Sequence, residues 1–210
     1  MPAADDKGAI VYVVDDDRSI CEAIANLLDA VGIEARCFAS AEAFLAGERP
    51  AVPSCLVLDV RLPGLSGLHF QDELAEAGIR LPIIFVTAHA DVPMSVRAMK
   101  AGAMEFLPKP FRDQELLDAV QLALKRDRER LDKDRASDGL RANFERLTPR
   151  EREILQHVAG GLMNKQIAAE MGLAEITVKI HRGNLTRKMG ARTLADLVRM
   201  AQALGETRDG

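Results

Sequence analysis

The chain has 210 residues and a mass of 22.9 kDa, enough for one large domain or two modest ones with separate cores. Hydrophobic residues make up 48%, no run approaches 18 apolar residues, and the N-terminal MPAADDKG is acidic; these features exclude a membrane span and a secretory signal and predict a cytoplasmic protein without a membrane partner. The net charge of −4 is unevenly distributed. Residues 1–125 hold 11 Lys and Arg against 19 Asp and Glu, a charge of −8, whereas residues 126–210 hold 17 against 13, a charge of +4. This asymmetry predicts two domains, of which the second binds a polyanion.

Residues 1–125 alternate short β-branched apolar runs with amphipathic stretches, which is typical of repeated βα units. We therefore predict an α/β domain with a five-stranded, doubly wound parallel sheet. The predicted strands are Ile10–Val14, Glu34–Phe38, Cys55–Leu58, Pro82–Thr87 and Glu105–Leu107. The predicted helices lie near residues 18–31, 40–47, 66–77, 92–101 and 113–125.

Residues 126–144 mix charges of both signs and contain few large apolar side chains, so we predict a charged helical linker, solvated along its length. Residues 145–210 are predicted to form an all-α domain. Its four helices are expected near residues 148–159, 164–171, 175–189 and 193–204. Thr148 begins a capping-box sequence with Pro149 at the first helical position, and Asn164 is predicted to cap the second helix.

Acidic side chains follow the predicted strands at the edge where parallel strands end. Asp15, Asp16 and Asp17 follow the first strand, and Asp59 follows the third, while Thr87 closes the fourth and Lys109 follows the fifth. The carboxyl ends of parallel strands border one crevice, so these side chains are expected to converge there. Clustered carboxylates are suited to Mg²⁺, and a carboxylate beside such a cation can act as a nucleophile toward a phosphoryl group. The sequence thus predicts an aspartyl phosphate on Asp59.

Each of these residues also has a structural interpretation. Asp15, Asp16 and Asp17 could favour a helix N-terminus, Asp59 could belong to a turn, and Lys109 could be a surface lysine. Their joint position at the strand ends favours the phosphoryl site.

A helix, a glycine-containing turn and a second helix follow one another in NKQIAAEM, GLAE and ITVKIHRGNLTRKM, as in a helix-turn-helix. Val178, Leu185 and Met189 form an inward stripe on the second helix. From Thr177 to Arg192 there are five Lys or Arg and no acid, which indicates a face for the phosphates of double-stranded DNA. A solvated basic face of a small helical bundle is the alternative.

The segments VVDDD at 13–17, LVLDVRLPGLSGL at 56–68 and IIFVTAHADVPMSVRAMKAGAMEFLPKPF at 83–111 resemble the receiver domain of two-component response regulators, a flavodoxin-like fold. The resemblance implies that Asp59 accepts phosphate from a sensor histidine kinase and that Lys109 contacts the phosphoryl group. The implied Mg²⁺ ligands are Asp15, Asp16, Asp59 and the backbone carbonyl of Arg61. It also implies a switch pair, Thr87 and Phe106, and a cis Lys109-Pro110 peptide.

Residues 147–191 resemble the LuxR-type DNA-binding domain, and the whole chain resembles the FixJ branch of response regulators. The implied DNA-binding residues are Lys165, Thr177, Lys179, Ile180, Arg182, Gly183 and Lys188. Gly183 offers no side chain to a base, and Ala174 stands where Ser or Thr commonly caps the recognition helix. The resemblance further implies a phosphorylation-dependent homodimer that activates transcription with RNA polymerase at promoter DNA.

Two other functions compete with a regulator. A phosphatase or phosphotransferase would need a second acid two residues after the nucleophile, and that position holds Arg61. A phosphate-independent dimerisation module would not need the acidic residues that are present. We therefore predict that the protein is not an enzyme.

Overall fold

The computed structural model describes residues 8–206, and the chain divides into two compact units, one ending at Asp132 and the other beginning at Lys133. The acidic N-terminal stretch interpreted above falls mainly on residues 1–7, outside the described residues. Each unit has its own hydrophobic core. Among the helices of residues 8–206, none combines the length and the apolar character that a bilayer crossing requires.

The first unit is built around a five-stranded parallel sheet. The strands in chain order are β1 (Ile10–Val14), β2 (Glu34–Phe38), β3 (Ser54–Asp59), β4 (Arg61–Leu62), β5 (Leu65–Ser66), β6 (Ile83–Thr87) and β7 (Glu105–Pro108). The sheet has the order β2-β1-β3-β6-β7, and every neighbouring pair is parallel. This confirms the predicted sheet. The antiparallel pair of β4 and β5 was not predicted.

Helices cover both faces of this sheet. They are α1 (Arg18–Asp29), α2 (Ala41–Ala46), α3 (Gly67–Glu76), α4 (Val92–Lys100) and the first part of α5 (Asp113–Glu145). Alternate residues of a strand enter opposite cores, so that Val11 and Val57 pack on one face while Tyr12 and Leu58 pack on the other. Because both faces are covered, every residue of β1, β3 and β6 is buried.

Helix α5 is continuous over 33 residues, and residues 126–144 are helical throughout. Asp127 departs from the predicted solvated character, since only 1% of it is exposed. Its carboxylate accepts hydrogen bonds from the Ser54 amide at 2.9 Å and from Arg130 Nε at 2.8 Å. The start of β3 is thereby fixed to the helix. The boundary between the two compact units falls between Asp132 and Lys133. The domain limits at residues 125 and 145 remain predictions.

The second unit contains the four predicted helices, α6 (Pro149–Ala159), α7 (Asn164–Met171), α8 (Glu175–Met189) and α9 (Leu194–Ala203). Thr148 and Glu151 form the predicted capping box of α6. The prediction that Asn164 caps α7 was wrong: Met163 holds that position, and the Asn164 side chain instead accepts a hydrogen bond from Arg182. Gly172 ends α7 in the left-handed conformation, with φ of 63°.

Candidate functional site

Three carboxylates meet at the carboxyl end of the sheet. Asp15 follows β1 and is buried, Asp16 is exposed, and Asp59 ends β3 with 8% of its surface exposed. Each offers a carboxylate oxygen, and these oxygens lie within 4.8 Å of one another. The predicted convergence of residues from separate strands is therefore present. An all-oxygen set of this kind fits a hard divalent cation.

Lys109 joins two of these carboxylates. Its Nζ donates hydrogen bonds to Asp15 Oδ2 at 2.5 Å and to Asp59 Oδ2 at 2.7 Å. Its side chain is only 13% exposed, and the Lys109-Pro110 peptide is cis, as expected from the resemblance. The ammonium group of Lys109 therefore lies beside Asp59, although the two residues are 50 positions apart in the sequence.

Burial and pairing act in opposite directions on the charges of this crevice. Burial raises the pKa of Asp15, and the hydrogen bonds from Lys109 and the Asp17 amide offset only part of that rise. For Lys109, burial alone would lower the pKa, but the bonds to Asp15 and Asp59 outweigh it and raise the pKa. Lys109 thus remains an ammonium at neutral pH. A buried acid with a raised pKa beside a buried cation is typical of functional sites.

Close contacts with neighbouring residues hold Asp15 and Asp59 in position. The Cys21 thiol lies 3.4 Å from the Asp15 carbonyl oxygen, toward which it can donate, and burial raises the Cys21 pKa to about 12, so the sulfur keeps its proton. The Arg61 amide donates to Asp59 Oδ1 at 2.9 Å. Gly67 packs so tightly that a Cβ there would lie 2.3 Å from the Asp59 carbonyl oxygen. The site therefore depends on residues that bear no charge in it.

The expected switch residues lie on the neighbouring strands. Thr87 ends β6 and is 1% exposed, and its Oγ1 accepts a hydrogen bond from the His89 amide at 3.2 Å. Phe106 lies on β7 with its ring 6.2 Å from that of Phe85. Thr87 and Pro108 are paired across the two strands. The hydroxyl thus lies one strand away from Asp59, since β6 pairs with β3.

Helix α8 of the second unit presents a basic and partly apolar outer face. Val178, Leu185 and Met189 are buried, as predicted from their spacing. Lys179 and Ile180 are exposed, and so is Gly183. This side of the helix is exposed and carries positive charge, the surface expected for contact with DNA.

The receiver-domain family, described as "Response regulator receiver domain", matches residues 11–121, and the family described as "Bacterial regulatory proteins, luxR family" matches residues 145–201. The chain belongs to the LuxR-type response regulators. The predicted family, fold class and regulatory function are confirmed. The prediction that the protein is not an enzyme is confirmed as well, because this family consists of transcriptional regulators.

Similar proteins cover nearly the whole response regulator. Nodulation protein W of Bradyrhizobium diazoefficiens is 59% identical over 197 residues, which are 94% of this chain and 87% of that protein. Transcriptional regulatory protein FixJ of Rhizobium meliloti is 40% identical over 196 residues, 93% of this chain and 96% of that protein. The structure of response regulator StyR has a TM-score of 0.84 at 49% identity, covering 92% of this chain and 98% of that one.

The pairing of a receiver with a DNA-binding domain implies phosphotransfer from a kinase and binding of DNA by this response regulator. Receiver domains generally bind Mg²⁺ at an acidic pocket, and the cluster of Asp15, Asp16 and Asp59 provides one here.

The other residues predicted to contact DNA differ in their exposure and in their partners. Lys165 is exposed, whereas Thr177 and Arg182 are half-buried. Lys188 Nζ lies 2.7 Å from Glu151 Oε2, and Glu151 is 3% exposed. This ion pair gives Lys188 a structural role that sequence reasoning missed. Its role as a phosphate contact stays a prediction.

Proposed function

We propose that Asp59 receives a phosphoryl group from a sensor histidine kinase and that the phosphorylated protein dimerises and activates transcription from promoter DNA. The observation that carries the proposal is the crevice in which Lys109 bridges Asp15 and Asp59 while exposed Asp16 lies beside them. It supports the proposal because the carboxylate proposed as the nucleophile lies beside the Lys109 ammonium and within 4.8 Å of the other two proposed carboxylate ligands.

In the proposed transfer, a carboxylate oxygen of Asp59 attacks phosphorus, a new phosphorus–oxygen bond forms, and the bond from phosphorus to the kinase histidine nitrogen breaks. Lys109 can shift a hydrogen bond from Asp59 to a phosphoryl oxygen, and the Thr87 hydroxyl can donate to another. Mg²⁺, held by Asp15, Asp16, Asp59 and the Arg61 carbonyl, would supply positive charge beside the phosphoryl oxygens. The hard-oxygen donor set supports this choice of metal.

Phosphoryl transfer is tested with radiolabelled acetyl phosphate and Mg²⁺. We expect stable labelling of the wild type and none of Asp59→Asn, which is nearly isosteric but lacks the nucleophilic carboxylate. The matched control is Asp72→Asn, a change at an exposed position on α3, which should label normally. Labelling of Asp59→Asn at the wild-type level would move the site elsewhere, and rapid loss of label from the wild type would contradict a stable aspartyl phosphate.

Dimerisation is proposed to use the outer face of α4. Val92 is 75% exposed, and Val96 and Met99 are each 45% exposed, so this face offers apolar surface near the switch strands. Val92, Val96 and Lys100 recur at i, i+4 and i+8, and all three are exposed, so they form one outward stripe. Inward movement of the Thr87 hydroxyl toward the phosphoryl group would let Phe106 repack and alter this face.

The dimer is tested by sedimentation of Val96→Asp with and without acetyl phosphate. We expect the variant to take up label like the wild type but to stay monomeric, because a charge would be buried in the interface. Dimerisation of the phosphorylated variant would contradict the choice of face.

We propose that DNA is bound mainly through α8, whose Lys179 and Ile180 face the bases, while Lys165 of α7 faces a phosphate. RNA polymerase is the proposed protein partner at the promoter. Because promoter DNA of a bacterium lies in the cytoplasm, we place the protein there. Selection from a random duplex pool, with and without phosphorylation, should return a two-fold symmetric site bound more tightly by the phosphorylated protein. Failure to enrich any sequence in either state would refute this proposal.

A further inference from the structure

Large apolar side chains lie on the side of α8 that faces away from its core. Ile176 is 64% exposed and Ile180 is 58% exposed. At about 100° per residue, these two side chains, Gly183 and Arg187 fall within about 60° of one another, on the side opposite Val178. The face therefore begins with two isoleucines, continues with a bare backbone position and ends with a cation.

Gly183 keeps this face flat. A Cβ at Gly183 would meet nothing within 4 Å, so neither packing nor a turn requires a glycine there. Without a side chain at this position, the backbone of α8 can approach a surface closely, which brings the exposed side chains of Ile176 and Ile180 against that surface.

The charge around the stripe favours DNA over a protein as the occupant. Lys179 is exposed beside the isoleucines, and Arg187 follows on the same stripe. From Ile176 to Arg192 there are five Lys or Arg and no acid, so they outnumber the single exposed Glu175 that precedes the stripe. Such a field attracts a polyanion. A branched aliphatic side chain cannot hydrogen-bond to a base edge, and the one apolar group that B-DNA presents in the major groove is the C5-methyl of thymine.

We propose that Ile176 and Ile180 read thymine C5-methyl groups, so that part of the operator specificity rests on methyl contacts rather than on hydrogen bonds. This inference rests on the proposed DNA-binding function and names the chemical group recognised. The two residues are one helical turn apart, about 6 Å along the axis, against about 3.4 Å between successive bases of a strand. The two methyl groups therefore lie one or two base steps apart within a half-site.

The test replaces thymine with uracil, which removes the methyl group and leaves every hydrogen-bonding group in place. The selected operator is made with one uracil at a time, and the affinity of the phosphorylated full chain is measured at fixed salt. Two positions in each half-site should show binding about four-fold weaker, the loss expected for one methyl-sized contact. The other thymines should show no change.

Variants then assign each methyl group to a side chain. Ile176→Ala should abolish the uracil response at one position of each half-site and Ile180→Ala at the other. Both changes are at exposed positions and should leave the thermal midpoint nearly unchanged. The matched control, Lys179→Ala, should bind more weakly but keep both responses. An operator insensitive to uracil, or responses that persist in both isoleucine variants, would overturn the inference while leaving DNA binding intact. Absence of any selected sequence would instead overturn the proposed function and the inference with it.

Discussion

Replacing Gly67 with alanine tests how closely the phosphoacceptor depends on backbone packing. Gly67 begins α3, and its amide donates to the Val60 carbonyl at 2.8 Å. A Cβ there would lie 2.3 Å from the Asp59 carbonyl oxygen and 3.0 Å from Val60 Cα, whereas ordinary contact begins at 3.4 Å. Because the obstructing atoms belong to the backbone, the segment at Asp59 or the start of α3 must move by about 1 Å.

A displacement of that size has two expected effects. Overpacking should lower the free energy of unfolding by about 1–3 kcal/mol, and misplacement of a reacting group by 1 Å can slow a reaction about 100-fold. We therefore expect Gly67→Ala to remain folded and to take up phosphoryl groups from acetyl phosphate far more slowly. Labelling rates and calorimetry measure the two effects separately.

The control is Gly139→Ala, a helical glycine in α5 whose Cβ would meet nothing within 4 Å. This change should raise stability by up to about 1 kcal/mol and leave the labelling rate unchanged. A Gly67→Ala protein that is labelled at the wild-type rate would show that the close approach to Asp59 does not position the nucleophile.

Three further predictions concern single side chains. Asp16→Ala should weaken Mg²⁺ binding by at least ~10-fold without unfolding the protein, because an exposed oxygen ligand is lost; unchanged affinity in a metal titration would refute its role. His89→Ala should alter the dephosphorylation rate but not Mg²⁺ affinity, because His89 lies two residues after Thr87 at the crevice; an unchanged rate would end the idea. Glu151→Gln should lower the free energy of unfolding of the second unit by about 1–3 kcal/mol at pH 7, since Lys188 loses its charged partner, and equal stability in denaturant titrations would contradict this.

The pH dependence of the Glu151 contribution follows from its surroundings. Burial would raise the pKa of Glu151, but the hydrogen bonds from Lys188 and the Thr148 amide outweigh it and lower the pKa. The pKa of Glu151 in the folded protein therefore lies below its pKa in the unfolded chain, which is about 4.3 for an unperturbed Glu side chain. The stabilisation is present above that value and is lost as the pH falls through the folded pKa. Glu151→Gln should remove this acid-side loss.

The sheet and the acidic crevice could be predicted because their signals are local and repeated. Apolar runs such as Ile10–Val14 mark buried strands, and polar residues such as Asp59 follow directly where strands end. The parallel topology then brings these ends together, so the positions of Asp15 and Lys109 follow from strand order.

Other features could not be predicted because their cause lies far away in the sequence. Asp127 stands in a run of charged residues of both signs, and nothing local distinguishes it from a solvated neighbour. Its partner Ser54 is 73 residues away. The same holds for Lys188, whose basic surroundings favour a DNA contact while Glu151 lies 37 residues earlier. Asn is a residue type that commonly caps helices, but Asn164 is already the first residue of α7, so Met163 occupies the N-cap position.

The hydrogen bond between Asp127 and Ser54 decides where the receiver can be cut from the rest of the protein without loss of stability. A fragment that stops at residue 125 discards the carboxylate and leaves the Ser54 amide, in a residue only 2% exposed, without its acceptor. Such a loss costs about 1–3 kcal/mol, a large share of the stability of a small domain. A fragment that runs through Asp132 keeps both partners and the Arg130 contact. Truncated proteins that differ by seven residues would thus differ in how securely the strand ending at Asp59 is held.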